Sequence, residues 1–315
     1  MRIRFIICWF LLFTNILCAQ NETQVWCFGL HAGLDFTQNP PSILNNNMLV
    51  SNEGCTCISD QVGNLLFYTI GDTVWNAQHQ IMANGTNLFG SFSVTQSSLI
   101  VKKPGSNKIY YMFTLKHNTG TAPPTTLYYS EIDMNLSSGS GSVTVKNTFL
   151  QANCNEKMAA VKHCNGQDVW LLVHEFNSAN FYAFLVSAGG VNSLPVVSNT
   201  GFVETSIIGQ MKCSANGNKI ALASKSSAND RFALFDFNRS SGVVSNPLSL
   251  ITTSLNSYGC EFSNDGSKLY GLFMNGPQST PLIQWNLCAG TPSAIIASSF
   301  VMTYTPAGQY GSAQL

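Results

Sequence analysis

Charge is scarce in this sequence. Asp, Glu, Lys and Arg make up 10% of its 315 residues, where soluble proteins usually carry about 25%. The charges balance, 15 basic against 15 acidic. That argues against the basic face a nucleic-acid binder needs, so no nucleic-acid partner is expected. It argues equally against an acidic disordered tail. No Cys-x-x-Cys occurs, and no His stands near the cysteines at zinc-finger spacing. G-x-S-x-G, H-E-x-x-H and Walker sequences are missing. The calcium-loop pattern D-x-[DN]-x-[DN]-G is missing too, although Asp265 in Ser263-Asn264-Asp265-Gly266 resembles its start. No metal and no cofactor is expected. No segment sustains an i, i+3, i+4 apolar pattern in good helix formers, which discounts a helical solenoid.

What is present is polar without charge. Asn, Ser, Thr and Gly must cover the surface. Aromatics at 11%, with 25 Gly and 11 Pro, suit many short strands joined by tight turns. Residues 1–19 form a secretory signal peptide: Arg2 and Arg4 are the positive region, Phe5 to Phe13 the short apolar core, and Ala19 the cleavage point. The run is too short for a membrane anchor and is broken by Thr14 and Asn15. Lipidation at Cys18 is disfavoured by the bulky Leu17 before it. No later run is long and apolar enough to span a membrane, so a mature domain of residues 20–315 is expected to be secreted or held at the cell surface, with no transmembrane segment.

Eight cysteines survive cleavage: Cys27, Cys55, Cys57, Cys154, Cys164, Cys213, Cys260 and Cys288. An even number in an exported chain permits disulfides, and Cys154 with Cys164 is the pair to test first. Cys57, Cys213 and Cys260 fall in apolar stretches just before turns and fit small core positions. Cys55-x-Cys57 would present two thiols on one strand face but lacks a second pair.

Five segments share one grammar: an apolar stretch, a polar turn centred on glycine, then an aromatic-rich strand. They are CISDQVGNLLFYT (57–69), VKKPGSNKIYYMFT (101–114), VKHCNGQDVWLLVHE (161–175), KCSANGNKIALAS (212–224) and EFSNDGSKLYGLF (261–273). Their turn glycines are Gly63, Gly105, Gly166, Gly217 and Gly266. Asn-Gly and Asp-Gly close tight hairpins because they tolerate positive φ. Each unit goes on into further strands, such as TVWNAQHQIM and RFALFDFN. A small antiparallel sheet of this size cannot bury both faces alone, and radial stacking buries them. The fold class is therefore all-β, a β-propeller of four-stranded antiparallel blades. Two packed β-sandwich domains are the alternative. A sixth copy begins at Tyr310, so about five and a half blades of an expected seven are present and the domain reads as incomplete at its C-terminal side. Val25 to Gly29, with Leu34 to Phe36, could lend a strand to the closing blade.

Three stretches carry a resemblance: WCFGLHAGLDF (26–36), NEGCTCISDQVGNLLFYTIGDTVWNAQHQIMANGT (52–86) with TQSSLIVKKPGSNKIYYMFT (95–114), and KMAAVKHCNGQDVWLLVHE (157–175). They resemble a family of exported Bacteroidetes surface proteins with an N-terminal propeller related to WD and YVTN repeats. The resemblance implies PKD-type or other Ig-like modules after the propeller. It also implies a gliding-motility-associated C-terminal domain that engages the type IX secretion machinery. That sorting domain is not in these 315 residues. Ile70 stands where the family often has Asp.

Aligning the units on their turn glycines puts Glu53, Gln96, Glu156, Gln210, Tyr258 and Tyr310 at one mouth of the channel. Polar and aromatic groups converging there would suit an extracellular glycan, peptide or protein ligand; the bland alternative is that they only solvate a wet channel. His163 and His174 flank one hairpin beside Glu175, but alternation sends 174 and 175 to opposite faces. Structural hydrogen bonding is expected of both histidines, and His79 is expected to pack beside Trp75. The expected function is a non-catalytic binding or adhesion module. The alternative is a lactonase-like hydrolase or lyase with a metal or an acid–base pair at the channel mouth, for which Glu53 and Glu156 are the obvious acids.

Overall fold

The computed structural model describes residues 21–118, 124–225, 231–251, 255–274 and 280–305. Six antiparallel sheets follow one another along the chain. The first holds β1 (Val25–Phe28), β2 (Ala32–Asp35) and β3 (Ser42–Leu44). The second holds β4 (Thr56–Ser59), β5 (Leu65–Thr69) and β6 (Val74–Asn76). The third holds β7 (Ser98–Lys102), β8 (Ile109–His117), β9 (Thr125–Asp133) and the first part of β10 (Ser142–Lys162). The rest of β10 begins the fourth, followed by β11 (Val169–Glu175), β12 (Ser178–Ser187), the short β13 (Gly190–Val191) and β14 (Val196–Glu204). The fifth holds β15 (Met211–Cys213), β16 (Lys219–Ser224), β17 (Arg231–Asn238) and β18 (Val243–Ile251). The sixth holds β19 (Ser257–Phe262), β20 (Lys268–Phe273), β21 (Thr280–Asn286) and, after the short helix α1 (Pro292–Ala297), β22 (Phe300–Thr305).

The sheets stack through their faces, and side-chain alternation supplies both. In β11, Leu171 and Val173 enter the cluster shared with the third sheet, while Trp170 and Leu172 enter the cluster shared with the fifth. In β16, Ile220 and Leu222 face the fourth sheet, while Ala221 and Ala223 face the sixth. A strand buried on both faces reads as a continuous apolar run, which is what VWLLV and IALA are. Five apolar clusters join the six sheets in series. Among the described residues, none joins the sixth sheet back to the first.

Three points differ from the sequence reading. Among the described residues the opening segment lends no strand to another blade: β1 pairs with β2 and β2 with β3, forming a sheet of their own. Two sheets merge, because β10 runs 21 residues from the outer edge of one to the inner edge of the next. Register shifts along it and the positive φ of Asn147 (55°) and Asn153 (58°) turn the strand between its two roles. The Cys154–Cys164 pair is not formed. Cys154 is fully buried within β10, and Cys164 is exposed in the turn beyond that strand's end, so both thiols are free. Ten residues of largely extended chain separate them by roughly 30 Å, far beyond disulfide reach. The copy expected from Tyr310 lies outside the described residues.

All five turn glycines adopt positive φ, from 69° at Gly266 to 95° at Gly63. In the fifth and sixth sheets the same serine organises the turn. Ser214 Oγ accepts from Lys219 N at 3.0 Å and donates to Asn216 Oδ1 at 2.8 Å. Ser263 Oγ accepts from Lys268 N at 2.9 Å and donates to Asp265 Oδ1 at 2.6 Å. Asp265 is thus a turn residue, its carboxylate also accepting from Ser267 N.

The repeated turn offers an internal comparison. A Cβ on Gly266 would meet nothing closer than 3.9 Å, whereas one on Gly217 would stand 2.6 Å from Val161 Cγ2 and 2.8 Å from Arg239 Cδ. Gly266→Ala should therefore cost only the left-handed backbone strain, about 1–2 kcal/mol. Gly217→Ala should cost about 1–3 kcal/mol more through overpacking. Urea midpoints of the two variants measure the difference, and equal losses would contradict tight packing of the fifth turn on the fourth sheet.

Candidate functional site

Inner strands of successive sheets surround a channel. A cavity of ≈ 710 Å³ opens there, walled by Trp26, Phe28 and Leu34 of the first sheet, by Glu53 and Cys55 at the second, by Thr95, Gln96 and Leu99 at the third, and by Gln210 and Lys212 at the fifth.

Of the expected rim residues, the structure brings Glu53, Gln96, Glu156, Gln210 and Tyr258 together but gives most of them a structural task. Gln96 ties three sheets: its Oε1 accepts from Met158 N at 3.0 Å and Met211 N at 2.8 Å, and its Nε2 donates to Met211 O at 3.2 Å. Gln210 Oε1 accepts from Cys260 N at 2.9 Å, linking the fifth sheet to the sixth. Glu156, 3% exposed, accepts through Oε2 from Thr95 N at 3.0 Å and Thr95 Oγ1 at 2.8 Å. Main-chain bonds run beside these, from Gln96 N to Glu156 O and from Glu156 N to Ile207 O. The inner strands meet edge-on near the channel axis, where main-chain groups are cut off from water and each needs a partner.

Glu53 and Tyr258 differ from the others. The Tyr258 hydroxyl donates to Glu53 Oε1 at 3.3 Å, reaching from the sixth sheet to the second. Glu53 is exposed to the channel, yet its carboxyl titrates above the ordinary range. Partial burial is the first cause and the charge of Glu156 the second, opposed by the Tyr258 bond and by Lys225. The two rim acids come from the second and fourth sheets, yet they act on one another across the channel. Tyr258 is also pushed up, mainly by burial. Lys212 forms an ion pair with Glu261 at 2.9 Å. Tyr310 lies outside the described residues.

A second polar group sits behind the rim. Lys157, fully buried, donates to Ser206 O at 3.2 Å and Ile207 O at 3.3 Å, and lies 3.7 Å from Glu204 Oε2. Glu204 Oε1 accepts from Ser206 N and Ser224 Oγ. Burial lowers the Lys157 pKa, against the pull of Glu204 and Glu156. His174 is buried too, with Nδ1 2.8 Å from Glu175 O and its ring edge-on to Phe181. His163 belongs to a different place, its Nδ1 accepting from Asn165 N in the exposed turn. The two histidines therefore do not converge, and among the described residues no group of three His, Cys, Asp or Glu is placed to hold a metal. His79 accompanies Trp75 through Tyr68, whose hydroxyl lies 3.0 Å from His79 Nδ1 and whose ring stacks on Trp75.

Sequence reasoning missed Trp26, Thr95 and Lys212. Thr95 directly precedes a rim residue, and Lys212 lies two residues beyond Gln210, on the same strand face. Extending the repeat alignment by two positions would have found Lys212. Trp26 gave no such signal, because the first sheet lacks the glycine-centred turn on which the units were aligned.

No protein-family model and no curated relative matches the chain. Solved structures do. A candidate 6-phosphogluconolactonase from Bacteroides uniformis is similar at a TM-score of 0.54 and 12% identity, over 89% of this chain and 79% of that one. The β-propeller domain of Cps50 (Swd1) from Myceliophteria thermophila is similar at 0.50 and 10% identity, over 95% and 91%. At these identities the likeness establishes the fold alone: the chain is a β-propeller.

The buried histidine makes stability depend on pH. Burial lowers the His174 pKa from 6.5 to about 4. The unfolded chain takes up this proton as pH falls through 6.5, and the folded chain resists until about 4. Stability present above pH 6.5 is therefore lost across that window, by up to ~3 kcal/mol. His174→Gln should flatten the acid side of the stability profile, measured as urea midpoints at pH 7, 5.5 and 4.5. An unchanged slope would mean that the histidine is protonated in the fold.

Proposed function

We propose that this propeller is an exported recognition or adhesion module that binds an extracellular glycan or peptide in its channel. The observation that carries this reading is the mixed wall of the cavity. Trp26 offers a half-buried aromatic face, with its Nε1 already bonded to Thr23 O at 2.9 Å. Phe28 and Leu34 extend that face, and Glu53 and Lys212 bring charge to the same space. A sugar or peptide needs this pairing of an apolar platform with a few fixed polar groups. The N-terminal segment and the family resemblance support export and a place at the cell surface. Delivery would use a sorting domain of the type that family carries. Among the described residues no helix is long and apolar enough to cross a membrane.

The raised Glu53 carboxyl favours a second reading, a channel hydrolase or lyase in which Glu53 acts as general acid. Glu53→Gln separates the two, because it keeps the shape of the side chain and removes the proton.

Glycan and peptide arrays probed with residues 20–315 should give hits whose affinity calorimetry can measure. Trp26→Ala should weaken the best hit at least ~10-fold, and Glu53→Gln by about 3- to 10-fold, with unfolding midpoints close to the parent's. Glu53→Ala with Tyr258→Ala is a poorer test, since it also breaks the bond between the second and sixth sheets. Unchanged affinity in both folded single variants defeats the channel as the binding site. Turnover of a simple lactone that disappears in Glu53→Gln establishes the enzyme reading instead.

A further inference from the structure

Three thiols meet where the first sheet packs on the second. Cys57 Sγ lies 3.3 Å from Cys27 N and 3.0 Å from Val25 O, and Cys55 Sγ lies 3.4 Å from Cys27 O. Cys55 and Cys57 are two residues apart on the inner edge of the second sheet, so both side chains reach the same face, and Cys27 of β1 stands opposite them. This is the partner that Cys55-x-Cys57 lacked in the linear sequence. The other buried thiols have no such company in their bonding: Cys154 Sγ points at Gln151 O and Cys260 Sγ at Gln210 O.

The place matters as much as the contact. Among the described residues the first sheet has three strands and packs on one neighbour, through a cluster whose buried members are Val25, Cys27, Leu49 and Tyr68. The cluster between the third and fourth sheets has thirteen buried members. Of the five interfaces among the described residues, the first is thus the least supported by apolar burial. All three residues line the channel cavity; Cys55 and Cys57 are partly exposed and Cys27 is buried, so an oxidant meets Cys57 before Cys27.

We propose that Cys27 and Cys57 are a disulfide-forming pair that staples the first sheet to the second. The staple goes beyond the binding function; its expectation in the living cell rests on the export reading. The oxidant is a small or protein disulfide. Cys57 is the thiol that ionises first, because Cys27 donates a hydrogen bond to its sulfur, and the same contact with burial holds Cys27 high. The Cys57 thiolate attacks the oxidant's S–S bond, forms a mixed disulfide and releases one thiolate. Cys27 then gives up its proton and attacks the Cys57 sulfur, forming the Cys27–Cys57 bond and releasing the second thiolate. Two electrons and two protons pass to the oxidant, which ends as two thiols. Cys55, pushed up to about 11 by burial, stays reduced.

The test uses folded residues 20–315 equilibrated with oxidised and reduced glutathione, then alkylated in denaturant and mapped by mass spectrometry. The expected result is loss of two of eight thiols, a linked pair of peptides carrying Cys27 and Cys57, and a melting temperature about 5 °C higher than in the reduced protein. Cys55→Ala should keep the link, while Cys27→Ala and Cys57→Ala each abolish it. A Cys27–Cys55 link, or alkylation of both Cys27 and Cys57 at every redox ratio, overturns the proposal. Protein extracted from cells under acid quench separates the two readings: a pair that links with glutathione but is reduced in the cell upholds the staple and defeats export.

Discussion

A sheet that is apolar on both faces cannot stand alone in water. Strands such as VWLLV and IALA bury consecutive residues, so each sheet needs a neighbour on either side, and the chain supplies those neighbours in order. Phe232 shows how tight the result is: its ring stacks on Trp285 at 5.0 Å and meets Phe273 at 5.4 Å, all three fully buried. Removing any one of them leaves a void that the flat neighbouring sheets cannot close. The serial clusters also explain why charge is scarce. With most strand residues covered on both faces, charged side chains gather at turns, edges and the channel, the buried Lys157–Glu204 pair aside, and the turns are already filled by Asn, Ser and Gly for reasons of backbone geometry.

The channel reverses this logic. Inner strands converge there, and their main-chain donors face one another instead of water. Gln96, Glu156 and Gln210 answer them from equivalent places in three successive sheets. A carboxylate or amide at the start of the inner strand is therefore first a link between sheets and only second a group that a ligand could use. Glu53 is the exception, since its carboxylate bonds to another side chain, Tyr258, and meets the Glu156 charge across the channel. A ligand donor could replace the Tyr258 bond without opening a seam between strands.

The repeat was legible because its physics is local. Five glycine-centred turns with positive φ, each leading into an apolar run, are enough to fix hairpins, blade size and radial stacking. The rim was legible in position for the same reason, as a fixed offset from each glycine. Its purpose was not legible, because Gln96 binding Met211 N depends on how three sheets converge, and sequence spacing says nothing about that. The first sheet was only partly legible for lack of its turn signal. Without a glycine-centred hairpin, β1 to β3 did not announce themselves as strands of one sheet. The thiols were misjudged with it: Cys154 and Cys164 are close in sequence but held apart by an extended strand, whereas Cys27 and Cys57 are 30 residues apart and in contact.

The first sheet then links the two proposals. Its inward face carries Cys27 against Cys57, and its opposite face carries Trp26 and Phe28, by the alternation of one four-residue strand. The aromatic wall of the cavity is therefore mounted on the sheet with the smallest buried cluster. A platform free to shift would lose ordering entropy each time a ligand settled on it, and that loss lowers affinity. A covalent link at the next residue would hold the Trp26 backbone against β4 before any ligand arrives. Position 27 thus decides how rigid position 26 is, and a recognition site built on a lightly supported sheet gains most from a staple at that point.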